Sequence, residues 1–380
     1  MRLLLDVSAV PEQLTGAGVY TTELARALAR CDGVDLVLAS RTDDSERWRV
    51  IAPTADLHAV AARTRPARLV WEQTLGPRLA DKLSVDLWHG PHYTMPVRVR
   101  VPAVVTVHDL TFFDHPEWHE RTKVAFFRRA ITESGKRAAA LVCVSDATAD
   151  RLRDAIRPRG DVVVVHHGVD TDRFTPHGDE SDDRPQLAAL GVTEPYVAFA
   201  GTIEPRKNVP ALVAAFARVA GEYPSLRLVL AGKPGWHTDA IDRAIAGSGA
   251  AERVVRTGYV PADTLPALLR RASAVVYPSH EEGFGLPPLE AMACGTPVLT
   301  TADVAAARLL GDAVVTAASD PEALADGLRE VLEPATAARL RTAGPAAVAG
   351  FSWAEAARRH VAVYRAALER GPGGGRRVAR

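Results

Sequence analysis

Short apolar runs recur at residues 3–5, 36–38, 103–107, 141–144 and 162–165, each separated from the next by polar or helix-patterned sequence. Continuous apolarity over a few residues marks strands covered on both faces, which is the condition of a parallel sheet. The segments 20–30, 124–137 and 147–156 instead space their apolar residues for one face of a helix. Alternation of the two predicts a parallel sheet wrapped by helices. The same rhythm begins again at residues 196–200 and continues through 226–231, 254–256, 274–277 and 298–300, which predicts a second sheet of the same kind. A chain of 380 residues is long enough to bury two such cores. The fold class read from the pattern is therefore α/β, with two doubly wound domains. Ligands of such sheets bind at the carboxyl ends of the strands, so the expected site is a cleft between the domains.

Between the two series, residues 172–185 are polar and acidic, with Asp179, Glu180, Asp182 and Asp183 clustered, which predicts an interdomain linker. The expected organisation is a first domain over residues 1–178, a linker over 179–190 and a second domain over 191–352. Residues 353–370 follow as an amphipathic helix with Ser352 placed as its N-cap. By pattern alone this helix fits equally well as the last helix of the second domain. The Gly- and Arg-rich tail over residues 371–380 is expected to be disordered.

Charge narrows the partners. Lys+Arg and Asp+Glu balance at 46 each, whereas a general nucleic-acid binder would show a basic excess. The three cysteines, Cys31, Cys143 and Cys294, are odd in number and widely spaced, as neither a disulfide framework nor a zinc site would be. The apolar run 3–5 is cut short by Asp6, and no stretch approaches the length of a membrane span. A cytoplasmic protein is expected, with at most peripheral membrane contact. Phe126 and Phe127, flanked by Arg128 and Arg129, fit such a contact; the competing expectation is a helix that packs these aromatics inward.

The most informative segment spans residues 278–298 and reads P-S-H-E-E-G-F-G-L-P-P-L-E-A-M-A-C-G-T-P-V. Gly283 and Gly285 permit backbone angles and close ligand approach that a Cβ opposes. Pro287 and Pro288 suit the first turn of a helix, and Gly295 its C-terminal end. Unpaired N–H groups over Phe284, Gly285 and Leu286 make a seat for phosphate oxygens or sugar hydroxyls, flanked by the carboxylates of Glu282 and Glu290. After the run 196–200 comes Gly201-T-I-E-P-R-K-N, which places Arg206 and Lys207 at the carboxyl edge of the second sheet. An Arg can fork two phosphate oxygens and a Lys supplies a compact charge, a pair suited to a diphosphate. His108 and Asp109 end the run 103–107 at the matching edge of the first sheet.

At these residues the chain resembles the retaining GT-B glycosyltransferases of family 4, whose signature of Glu, seven residues and Glu stands here as Glu282-G-F-G-L-P-P-L-Glu290. The resemblance implies two Rossmann-like domains facing across a cleft and a C-terminal helix that crosses back to the first. It implies that Glu282 and the backbone of Gly283, Phe284, Gly285 and Leu286 contact the donor sugar and its phosphate end, while Glu290 binds the ribose. It gives Gly201, Arg206 and Lys207 to the diphosphate; Thr202 stands where the family usually has Arg, and Arg206 substitutes for it. Gly16 and Gly18, read as a glycine loop opening a helix, would face the donor phosphates and acceptor. His108 would lie beside the sugar, and Tyr259 and Val260, after Gly258, would bring backbone groups to the base.

The variant E-P-R-K-N is common among transferases resembling mannosyltransferases, which makes GDP-mannose the expected donor. The Asp170-T-Asp172 pair resembles a structural segment of the family rather than a metal site, so neither metal nor cofactor is expected. The expected activity is retaining transfer of a hexose from a nucleoside diphosphate sugar to a hydroxyl of a glycan, lipid-linked or small-molecule acceptor. The competing readings are a nucleotide-sugar epimerase of the same fold and an inactive sugar-nucleotide-binding protein.

Overall fold

The computed structural model describes residues 1–236 and 239–371. The chain divides into two compact units, one built from Met1–Gly168 with the helix Trp353–Arg370 and the other from Val169–Ser352.

In the first unit the strands are β1 (Arg2–Asp6), β2 (Asp35–Arg41), β3 (Asp56–Ala61), β4 (Leu87–Gly90), β5 (Ala103–Val107), β6 (Ala140–Cys143) and β7 (Asp161–Val164). Among the described residues they form one seven-stranded parallel sheet in the order β3-β2-β1-β4-β5-β6-β7. Leu3, Leu4 and Leu5 are fully buried, as sheet coverage on both faces requires. Strand order reverses direction between β1 and β4, the switch point at which the carboxyl ends leave a crevice. Two strands of this sheet escape the apolar-run pattern. β3 is an edge strand carrying Asp56 and His58, and β4 ends in His89 and Gly90. Trp88 and His89 lie fully buried in β4.

In the second unit β8 (Tyr196–Ala200), β9 (Arg227–Ala231), β10 (Val254–Gly258), β11 (Ala274–Tyr277), β12 (Val298–Thr301) and β13 (Val315–Ala317) form a six-stranded parallel sheet in the order β10-β9-β8-β11-β12-β13. Here the order reverses between β8 and β11. Glycine governs the carboxyl edge: a Cβ on Gly232, just after β9, would stand 1.8 Å from the carbonyl oxygen of Gly201. Only glycine lets these two strand ends approach so closely.

The expected linker is not a linker. Residues Glu180–Ala189 form a helix of the second unit, capped by Asp179, whose carboxylate accepts from the backbone N–H of Ser181 at 2.8 Å. The acidic cluster that read as a solvated connector is this helix's first turn, where carboxylates face the positive end of the helix dipole. Asp183 is buried and takes a forked ion pair from Arg270, at 2.9 and 2.7 Å. The units divide instead at Gly168 and Val169, and again at Ser352 and Trp353.

The return helix, Trp353–Arg370, belongs to the first unit and packs on the helix Gly16–Leu28. The tail beyond residue 371 lies outside the described residues. Phe127 is buried and stacks on Phe112 at 4.4 Å between centroids, so this aromatic faces the protein interior. Among the described residues no helix is long and apolar enough to cross a membrane.

Removing one partner of a buried ion pair leaves the other charge uncompensated, at a cost of about 3 kcal/mol. Asp183→Ala should therefore destabilise the second unit by about 3 kcal/mol in urea unfolding followed by circular dichroism. A loss below about 1 kcal/mol would show that the pair contributes only as a surface bridge does.

Candidate active site

The sheet of the second unit reverses between β8 and β11, and the chain segments leaving these two strands supply the charged groups. After β8, the turn Pro205–Lys207 presents Arg206 and Lys207, and Asn208 follows in the left-handed region at φ 53° to start the helix Val209–Val219. After β11, the chain runs through Ser279 and Glu281 to Glu282. The two segments are joined by backbone, the N–H of His280 donating to the carbonyl of Arg206 at 2.9 Å. Side chains of β12 fix the second segment from below: Thr300 donates to the carbonyl of Tyr277 at 3.0 Å and Thr301 to that of Ser279 at 2.5 Å.

Glu282 closes the arrangement. Its Oε1 accepts from Lys207 Nζ at 2.5 Å, and its Oε2 lies 2.6 Å from Arg206 Nη1. Arg206 also donates to the carbonyl of Glu281 at 3.1 Å and pairs with Glu204 at 2.8 Å. Lys207, only 6% exposed, donates to the hydroxyl of Tyr277 and sits 4.7 Å from that ring's centroid. Two adjacent cations and two carboxylates thus meet where each side chain is only 8–16% exposed, with their formal charges in balance.

The surroundings set the protonation states. Burial alone would raise the Glu282 carboxyl, but Arg206 and then Lys207 outweigh it and hold the group at about 2. Burial draws the Lys207 ammonium below the usual lysine range, with Glu282 opposing. Burial, reinforced by Glu282, pushes the Tyr277 phenol well up, so it meets Lys207 as a neutral hydroxyl. An ammonium has three donors. Tyr277 and Glu282 take two of those on Lys207, which leaves one direction for an incoming oxygen.

The glycine turn follows directly. Gly285 has φ 109°, and a Cβ there would meet Val304 Cγ1 at 2.7 Å, so both angle and space require glycine. It is the N-cap of the helix Leu286–Ala293, whose first turn holds Pro287 and Pro288. The amide of Ala306 donates to the carbonyl of Phe284 at 2.9 Å and pins the turn. Glu290 lies one turn into the helix, half-buried. Gly201 follows β8 and Gly258 ends β10, with Tyr259 exposed and Val260 buried just beyond it, all at the carboxyl edge of the sheet. Residues read separately from the sequence as a basic turn and an acidic turn are thus brought into direct contact.

His108, Gly16 and Gly18 belong to the first unit. His108 follows β5, is buried, and its Nε2 lies 2.8 Å from the carbonyl of Pro91. A carbonyl only accepts, so Nε2 carries the proton and Nδ1 the lone pair. Burial lowers its pKa below the ordinary histidine value, while Pro91 and Asp109 oppose. Gly16 and Gly18 do not form a loop. The helix begins at Gly16, so both lie in its first turn, and Gly18 is buried where a Cβ would stand 3.4 Å from Leu14 and Pro11. Asp170, of the Asp-x-Asp pair, caps a turn by accepting from the amides of Asp172 and Arg173, each at 3.2 Å.

Three participants escape the sequence reading. Tyr277 carries a readable signal, a hydroxyl at the carboxyl end of an apolar strand. Glu204 stands two residues before Arg206, at a spacing consistent with a local pair. Glu281 contributes through its backbone carbonyl, which leaves no trace in side-chain identity.

Known proteins share this chain's sequence pattern and fold. A model of Glycosyl transferases group 1 matches residues 181–346, and one of Glycosyltransferase Family 4 matches residues 14–173. The chain is 29% identical to the O-antigen chain mannosyltransferase B of Escherichia coli, over 96% of this chain and 100% of that protein. It is 33% identical to a D-inositol 3-phosphate glycosyltransferase of Geodermatophilus obscurus, over 96% of this chain and 89% of that protein. Among solved structures, sucrose-phosphate synthase of Thermosynechococcus elongatus superposes with a TM-score of 0.77 at 21% identity, covering 96% of this chain and 98% of that one. HepE of Anabaena, solved in complex with UDP-glucose, gives 0.76 at 19% identity, covering 96% and 99%. The fold is GT-B, and the chain belongs to the family 4 glycosyltransferases, the glycosyl transferases of group 1.

Proposed function

We propose that this glycosyltransferase moves mannose from GDP-mannose to a hydroxyl of a glycan, lipid-linked or small-molecule acceptor, with retention of anomeric configuration and without a metal ion or cofactor. The observation that carries the reading is the buried contact of Glu282 with Lys207 and Arg206 at the switch point of the second sheet. The donor sugar is favoured by the mannosyltransferase that matches 96% of the chain, and by the segment Glu204-P-R-K-N. The D-inositol 3-phosphate glycosyltransferases among the relatives support glycosyl transfer without supporting mannose.

In this reading the cations receive charge as the bond between sugar and diphosphate breaks. Lys207 offers its third N–H to a phosphate oxygen, and Arg206 adds its fixed positive charge beside it. The amides of Phe284, Gly285 and Leu286, which lead into the helix Leu286–Ala293, add partial positive charge for the same group, since Pro287 and Pro288 have no N–H to give. Preset donors of this kind need no reorganisation when charge develops, which is why such arrangements accelerate a reaction. Glu282 keeps one lone pair on each oxygen after serving its two cations, and these accept hydroxyls of the sugar. Glu290 accepts a ribose hydroxyl, and Gly201, Tyr259 and Val260 place backbone groups against the nucleotide. In the first unit, His108 has its lone pair on Nδ1 and accepts a substrate hydroxyl there.

Retention follows if the acceptor hydroxyl attacks from the face that the diphosphate leaves, with a phosphate oxygen taking its proton. The carboxylate that a double displacement would use as nucleophile is here occupied: both oxygens of Glu282 are engaged by cations, which weakens it as a nucleophile. The C1–O bond to the diphosphate breaks, the C1–O bond to the acceptor forms, and the nucleoside diphosphate leaves with the proton.

Glu282→Ala should lower kcat/KM for transfer at least a hundredfold, and Lys207→Met by a similar factor, since each upsets the charge balance of the cluster and removes transition-state contacts. A Glu282→Ala enzyme that transfers at the wild-type rate would remove the basis of the assignment. For the donor, thermal unfolding in the presence of GDP-, UDP-, dTDP- and ADP-sugars should show the largest rise in Tm with GDP-mannose. A larger rise with UDP-glucose would replace mannose with glucose in the reading. NMR of the donor incubated without acceptor should show an unchanged sugar; inversion at a ring carbon would make the protein an epimerase.

A further inference from the structure

Five side chains of the first unit form a closed circuit of hydrogen bonds that begins and ends on the return helix. Tyr364 Oη lies 2.8 Å from His89 Nδ1, and His89 Nε2 lies 2.9 Å from Thr106 Oγ1. Thr106 Oγ1 lies 2.8 Å from Tyr20 Oη, which lies 2.9 Å from His360 Nε2. His360 Nδ1 then lies 2.7 Å from the carbonyl oxygen of Ala356, one turn earlier on the same helix. The five come from β4, β5, the helix Gly16–Leu28 and the return helix, and none is more than 1% exposed.

The last contact fixes every other. A carbonyl cannot donate, so His360 Nδ1 must carry the proton, and the neutral ring then offers a lone pair at Nε2. That lone pair needs a donor, and Tyr20 supplies its one hydroxyl proton. Tyr20 must therefore accept from Thr106, which spends the single proton of that hydroxyl. Thr106 must in turn accept from His89, so His89 carries its proton on Nε2 and its lone pair on Nδ1. Tyr364 donates to that lone pair. Each donor is used once, and the direction runs one way from Tyr364 to Ala356.

Neutrality of the two rings is what the surroundings enforce. Burial lowers His360 to about 4, with the Ala356 carbonyl opposing and Arg359 adding to the fall. Burial holds His89 well below the usual range, and the facing His360 and His108 add to this. Burial pushes both phenols up, and Tyr364 also faces Tyr20 and Cys31. The ring of Tyr20 faces those of His108 and His167, each 4.9 Å away, and that of Trp353 at 6.1 Å.

We propose that this circuit is a one-way relay that fixes the proton of His89 on Nε2 and that of His360 on Nδ1, and that His360 and Tyr364 act through it as positioning residues for His108. The link is direct. Tyr20, gripped between His360 and Thr106, sets its ring edge-on against the His108 ring at an interplanar angle of 82°. Thr106 stands two residues before His108 on the same strand end. Tyr20 also lies one turn after Gly16, so the relay holds the glycine-containing turn of that helix. A helix from the end of the chain thereby orients a histidine near its start. The effect on transfer rests on the proposed function, whereas the relay itself does not.

Nitrogen-15 NMR of the imidazoles in the full chain tests the relay, with signals assigned by their loss in His89→Gln and His360→Gln. The expected spectrum shows His89 protonated on Nε2 only and His360 on Nδ1 only, both unchanged from pH 8 to pH 5.5. Either ring in the other tautomer, or titrating near its ordinary value in that range, overturns the relay. Tyr20→Phe keeps the ring but removes the hydroxyl at its centre. It frees the Thr106 proton for His89 Nε2, so it should let His89 lose its single tautomer while His360 keeps its own, and slow transfer at saturating donor roughly tenfold, with donor KM changed less than about twofold. His360→Gln, whose amide oxygen can accept from Tyr20, should recover more of that rate than His360→Ala. A Tyr20→Phe enzyme with the wild-type rate, or glutamine and alanine variants of equal rate, overturns the positioning role. A wild-type protein that transfers no sugar from any donor defeats the functional reading instead, and the NMR result still decides the relay.

Discussion

Everything in the second unit's site depends on one buried carboxylate. Two cations on adjacent residues repel each other and lose hydration when taken out of water, a combination that an isolated basic turn could not sustain. Glu282 makes it sustainable by giving one oxygen to Lys207 and the other to Arg206. Its own low pKa reports the same bargain from the acid side, since the neighbouring charges outweigh a strong tendency of burial to protonate it. The cluster is therefore a fixed arrangement of charge, set before any ligand arrives, and that is the property a site for a departing diphosphate needs.

The rest of the unit holds that carboxylate in place. Strand order brings the ends of β8 and β11 side by side, and a backbone hydrogen bond from His280 to Arg206 joins the segments that leave them. Thr300 and Thr301 grip the second segment from the neighbouring strand. Gly285 then turns the chain against Val304 at an angle and a distance that exclude a side chain, and the helix Leu286–Ala293 starts there. In the first unit the corresponding rigidity comes from neutral groups instead. His89, Thr106, Tyr20, His360 and Tyr364 share protons in one direction, and His108 leans on the middle of that chain.

Much of this architecture was readable because parallel strands bury both faces and so appear as uninterrupted apolar runs. β5, β8 and β11 are of that kind, and their limits agree with the runs at residues 103–107, 196–200 and 274–277. β3 and β4 were not readable, since an edge strand tolerates Asp56 and His58, and β4 buries His89 by hydrogen-bonding it. The acidic run after residue 178 misled for a related reason. Charge at a helix N-terminus and charge in a solvated linker look alike until the partner of Asp183, Arg270, is seen 87 residues away. The contact of Glu282 with Lys207 was likewise out of reach, because nothing local couples residues 75 apart. The sequence identified both as candidates, but it assigned Glu282 to the sugar alone and did not anticipate its service to the two cations.

The central claim is that Lys207 and Glu282 act as one unit, and a double-mutant cycle on kcat/KM tests it most directly. If the account is right, Lys207→Met and Glu282→Gln combined will transfer sugar no more slowly than the worse of the two single variants, because each alone already disables the pair. If instead the two losses multiply, the residues act independently, and the buried contact between them is not what the site is built on.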